Sequence, residues 1–163
     1  MKKMKILSFV ILACISGIFV SCMKPHAEFD PATEWPKVEK VINNSIGWAK
    51  NKDIDLLYNT IANDSNYTEV HPDGGVVKGF QEFKKAEVFW LSPDFKAVRY
   101  DIRDLSINFS KSGDVAWFFC IVDDINEWQG QPANWENTRW TGVLEKRDGK
   151  WVIVQGHFSF ANS

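Results

Sequence analysis

Arg139-Trp140-Thr141-Gly142-Val143-Leu144-Glu145-Lys146-Arg147-Asp148-Gly149-Lys150-Trp151-Val152-Ile153-Val154-Gln155-Gly156-His157-Phe158-Ser159 reads as two long strands folded back on one tight turn. Asp148-Gly149 is a strong short hairpin signal, because both central residues of such a turn need positive φ. Side chains alternate across a strand. On the last strand this groups Trp151, Ile153, Gln155, His157 and Ser159 on one face, and Val152, Val154, Phe158 and Phe160 on the other. A face that sets Gln and His among apolar residues suits a pocket wall. On the preceding strand Trp135, Asn137, Arg139, Thr141 and Val143 are expected together.

Working back from this hairpin, residues 95–109 and 114–127 have the same strand character, with Ser112-Gly113-Asp114 as the turn between them. Before them the period changes. Val38, Val41, Ile42, Ile46 and Ala49 recur at helical spacing, which predicts an amphipathic helix over 34–51, with Thr33 or Asp30 as its cap and Pro36 in its first turn. Asp53-Ile54-Asp55 opens a short second helix. Residues 67–71 and 76–79 read as short strands flanking Pro72-Asp73-Gly74-Gly75, and 80–90 as a third helix stopped by Ser92-Pro93. Helices first and a long antiparallel meander after them is the α+β class.

That order of elements, and the terminal hairpin with Asp148-Gly149-Lys150-Trp151 at its turn and His157-Phe158-Ser159 on its last strand, resembles the SnoaL-like branch of the NTF2-like superfamily over about residues 34–161. The resemblance implies a cystatin-like α+β barrel or cone. Three N-terminal helices would pack on a highly curved antiparallel sheet around a pocket, with a homodimer formed through the outer sheet face. Members include isomerases, cyclases, dehydratases, kinase association domains and simple binders, so the fold leaves the function open.

The start of the chain is of different composition. Three lysines in residues 1–5, the uncharged run Ile6–Val20 and then Ser21-Cys22 form a signal-peptide pattern, and the run is shorter than the roughly 20 residues that span a bilayer. Phe19-Val20-Ser21-Cys22 resembles a bacterial lipobox. The expected organisation is a lipoprotein signal over 1–21, a tether over 22–33 with Cys22 lipidated, and one domain over 34–163. The protein would be exported to the cell envelope, as an outer-membrane lipoprotein facing the periplasm or the surface, its membrane contact being the lipid. Cys120, the cysteine left once Cys14 and Cys22 are accounted for, lies in an apolar strand and reads as a small buried hydrophobe.

Removing residues 1–21 takes three of the 19 basic side chains and none of the 21 acidic ones, which leaves a charge of −5. With no basic stripe to displace counterions, nucleic acid is not an expected partner. No metal-ligand spacing, cofactor motif or phosphate loop is present in the sequence.

The 12 Phe, 8 Trp and 3 Tyr exceed what a core of this length needs and leave rings to line a cavity. His157 is the first candidate for a general base or ligand donor, because imidazole titrates near neutrality. Asp123-Asp124 supplies a carboxylate that an apolar pocket would raise in pKa. Arg139 could clamp a ligand carboxylate or pair across strands with Asp123, Asp124 or Glu136. Tyr67, Glu69 and His71 alternate onto one face near the expected rim, beside Trp90; Trp135 and Gln155 complete the expected ligand contacts. Residues 128–132 read as a lid loop over the cone mouth. Three functions fit: a binder of a small, largely apolar or aromatic molecule; a ketosteroid-isomerase-like enzyme (isomerase, dehydratase or hydrolase) using His157 with Asp123 or Glu69; and a docking module using the outer sheet face.

Overall fold

The computed structural model describes residues 29–161; the expected signal segment, Cys14 and Cys22 lie outside the described residues. The elements follow in the order α1 (Pro31–Gly47), α2 (Ile54–Tyr58), β1 (Thr68–Val70), β2 (Val76–Lys78), α3 (Phe80–Phe83), α4 (Glu87–Trp90), β3 (Phe95–Phe109), β4 (Val115–Trp128), β5 (Gln131–Pro132), β6 (Trp135–Arg147) and β7 (Lys150–Ser159). The α+β class holds, with two differences. The third expected helix is broken into α3 and α4 by a 3₁₀ turn over Lys84–Ala86. The sheet is mixed, because β1 pairs in parallel with β7, and its order is β2-β1-β7-β6-β4-β3 with β5 added beside β4.

The first helix starts earlier than its periodicity suggests. Asp30 is the N-cap, its carboxylate accepting the Ala32 N–H at 3.0 Å, and Pro31 takes the first helical position. The last residues of the expected tether are therefore part of the fold, and Phe29 packs edge-on against Phe109. Pro36 falls in the second turn instead of the first, where it costs the helix ladder one hydrogen bond. Glu34, Val38, Ile42 and Ser45 form the buried stripe. Asp53 caps α2 through the Leu56 N–H at 3.0 Å. The Asp148-Gly149 turn forms as read, with φ of 50° and 79°.

The curvature comes from four places where the strand register slips: two on β3, one on β6 and one on β7. An extra residue on one strand bends it and sharpens its twist. Two of these positions hold Asp104 and Asn137 at φ of 53° and 50°, residue types that tolerate the left-handed region. The bent sheet wraps a core of Val38, Ile42, Tyr67, Cys120, Val122 and Leu144, all buried. Gly142 lets β6 and β7 close on this core. A Cβ there would stand 2.5 Å from the Phe118 ring and 2.8 Å from the Gln155 carbonyl oxygen.

Candidate functional site

Between the helices and the concave face lies a cavity of about 620 Å³. Its floor is built from buried side chains of α2 and the sheet, among them Leu57, Tyr67, Trp140 and Ile153. Its wall carries Trp48 and Trp90, whose rings meet at 5.5 Å, and Phe83, 4.9 Å from Trp90. Its mouth lies at Phe89 and Pro132, both exposed. The expected lid over 128–132 is a β-hairpin. Gln129 and Gly130 turn it at φ of 51° and 75°, Trp128 stacks on Phe89 at 4.6 Å, and the Gln129 N–H donates to the Asp94 carbonyl at 2.9 Å.

Polar groups enter this apolar space from two strands. On β1 and the residues flanking it, the Tyr67 hydroxyl donates to one Glu69 oxygen at 2.5 Å, and His71 Nε2 meets the other at 2.7 Å. The Glu69 hydrogen bond raises the His71 pKa against the opposing effect of burial, and burial with the Glu69 charge holds Tyr67 in its neutral, donating form. From β4 come Asp124 and Asn126. Burial raises the Asp124 pKa, and a hydrogen bond from Asn126 offsets part of the shift. Two further polar atoms on the lining have no partner among the described residues: Asn126 Oδ1 and Trp140 Nε1.

The bulges explain which sequence candidates meet here. Tyr67, Glu69, His71, Trp90 and Trp135 all line the cavity, and the Trp135 ring stands edge-on to His71 at 5.6 Å. His157, Arg139, Gln155 and Asp123 do not line it. The extra residue on β7 lies between Ile153 and Gln155, so Gly156 and Phe158 face inward and His157 is exposed on the outer face. The extra residue on β6, at Asn137, likewise separates Trp135 from Arg139, which is exposed and donates to the Phe160 carbonyl at 2.5 Å. Asp123 pairs with Arg103 at 3.0 Å and accepts the Asn137 N–H at 2.7 Å, so it fastens the bulge. Its neighbour Asp124 takes the place in the cavity expected of it. Sequence reading also missed Asn126 and Trp140 as lining residues. The alternation of Ala116, Phe118, Cys120 and Val122, all buried, continues straight to Asp124 and Asn126.

A curved mixed sheet closed by helices around such a hollow defines the NTF2-like, cystatin-like class of fold. Residues 38–163 match the model of the SnoaL-like domain, and the chain belongs to that family. A search of curated proteins finds no match. Among solved structures, a candidate dehydratase of the NTF2-like family from Streptomyces avermitilis superposes with a TM-score of 0.70 at 15% identity, covering 82% of this chain and 100% of that one. A candidate calcium/calmodulin-dependent kinase II association domain from Exiguobacterium sibiricum 255-15 gives 0.66 at 9% identity, covering 83% and 99%. A protein with a cystatin-like fold from Nostoc punctiforme PCC 73102 gives 0.62 at 14%, covering 83% and 96%. At these identities the likeness is one of fold.

Proposed function

We propose that this domain binds a small, largely apolar or aromatic molecule inside its cone. The observation that carries the reading is the cavity of about 620 Å³, walled by aromatic rings and entered by a few polar groups. Ligand sites commonly combine roughly 300–1,000 Å³ of mostly apolar space with a small number of placed polar atoms. Titration with the neutral fluorophore N-phenyl-1-naphthylamine tests it. Saturable one-to-one binding that quenches tryptophan emission is expected, and a linear, non-saturating signal would refute the proposal.

Acid–base catalysis is a second reading, favoured by the raised Asp124 pKa in a cavity that also holds the Tyr67–Glu69–His71 cluster. Asp124 would be the proton carrier and Glu69 with His71 its counterpart, in place of His157 and Asp123. Loss of turnover in Asp124→Asn with retained binding would separate catalysis from capture.

We further propose that the chain is an exported lipoprotein anchored through Cys22, and that it dimerises through the outer sheet face, where Trp117 and Phe119 are exposed at 47% and 39%. Docking of another protein on that face is the competing use. Mass spectrometry of the envelope fraction tests the lipid, and sedimentation of a Trp117→Ser variant tests the dimer.

A further inference from the structure

We infer that the molecule this cavity takes is an organic cation, an amine or quaternary ammonium group carried on an apolar or aromatic body. The inference rests on the binding reading above and adds the charge of the ligand.

Among the described residues, the titratable groups facing the cavity are Tyr67, Glu69 and His71 from β1 and its flanks and Asp124 from β4; the helices, β3, β5, β6 and β7 contribute none, and no lysine or arginine lines it. Glu69 is engaged on both oxygens, by Tyr67 and His71. Asp124 is different: none of the ion pairs among the described residues includes it, whereas Asp123, one residue away on the outer face, has Arg103 at 3.0 Å. A half-buried carboxylate without a cation is costly. Beside it Asn126, 7% exposed, presents a buried side-chain oxygen that no donor among the described residues reaches. A carboxylate that has the Asn126 amide as its donor but no cation, beside an amide oxygen without a donor, both set among aromatic rings, is the complement of an ammonium group: the carboxylate supplies the counter-charge and ring faces attract the cation. A ligand carboxylate or phosphate would meet Glu69 and Asp124 with only the His71 imidazole, already engaged by Glu69, to offset them. The unpartnered Trp140 N–H leaves room for one acceptor atom on the same molecule.

The sign of the pH dependence follows. Ionisation of Asp124, which burial delays to higher pH, and deprotonation of His71, which Glu69 delays, both make the cavity more negative as pH rises. Affinity for a permanently charged cation should therefore tighten from acid to neutral pH, with proton release.

The test uses the purified protein, benzyltrimethylammonium and its uncharged isostere neopentylbenzene, read by tryptophan fluorescence. At neutral pH the cation should bind about tenfold more tightly, the size expected of a desolvated cation among rings and a counter-charge, and Asp124→Asn should bring the ratio of the two affinities to about one. With the unsubstituted protein alone, the cation's affinity should rise with pH and the isostere's should not. An isostere that binds as tightly as the cation, or a pH-independent cation affinity, overturns the inference and leaves the binding reading standing. Failure of both probes to bind, together with N-phenyl-1-naphthylamine, overturns both.

Discussion

Replacing Glu34 with Gln tests how the first helix is fixed to the sheet. Glu34 lies on α1 at 7% exposure; its carboxylate accepts from Lys37 at 2.7 Å, from Trp151 Nε1 on β7 at 2.7 Å, and meets Lys146 on β6 at 3.0 Å. Burial alone would raise its pKa, but these partners outweigh burial and hold it down from 4.5 to about 2. Each unit is about 1.4 kcal/mol, so the shift corresponds to about 3 kcal/mol of stability. Solvent around the half-exposed Lys37 screens part of this, and a net loss of about 2 kcal/mol is expected. Gln keeps an acceptor for the Trp151 N–H and fills the same volume, so the loss isolates the charge. A depressed carboxyl pKa contributes stability that is present above 4.5 and disappears as pH falls through about 2. Urea unfolding should therefore separate the two proteins fully at neutral pH and bring them together near pH 2, with a melting difference of about 5 °C at neutral pH. Equal stability at neutral pH, or a gap that persists unchanged into acid, would refute the reasoning.

Three other outcomes are expected. Gly142→Ala forces a methyl group onto the Phe118 ring and the Gln155 carbonyl; overpacking against immovable backbone should cost about 1–3 kcal/mol, measured by chemical denaturation. The His71 imidazole should titrate above 6.5 by NMR, and Glu69→Gln should bring it down. Because its folded pKa is raised, the pair's stabilisation is complete below 6.5 and fades as pH rises through the folded value. Cys120 is buried, which pushes its thiol up to about 12, so iodoacetamide should label the Cys120 peptide only after denaturation, as read by mass spectrometry.

How much of this could be read in advance depended on whether the signal was local. Caps, turns and amphipathic stripes are local, and Asp53, Asp148-Gly149 and Val38-Ile42 announced their elements. Strict alternation predicts strand faces only where the register is unbroken, and a bulge breaks alternation without a strong compositional mark. That is why Tyr67, Glu69 and His71, on a short strand without a slip, were grouped correctly, while Trp135 was grouped with Arg139 and Ile153 with His157. Asp104 and Asn137, residue types that tolerate positive φ, are the available hints of a slip. The parallel pairing of β1 with β7 joins residues some 90 positions apart, and no turn residue announces such a contact.

If a ligand enters the hollow, filling the hollow must exclude it. Gly156 lines the cavity, and a Cβ added there meets only ordinary contacts at 3.7 Å with Glu69 and the Trp140 indole. Gly156→Leu thus fills the cavity without straining the backbone, whereas Trp117→Ser strips the outer face. The decisive measurement is N-phenyl-1-naphthylamine affinity in both variants. The leucine variant is predicted to lose binding while keeping its melting temperature, and the serine variant to bind like the parent. Undiminished binding by the leucine variant, or loss of binding in the serine variant alone, would contradict the account.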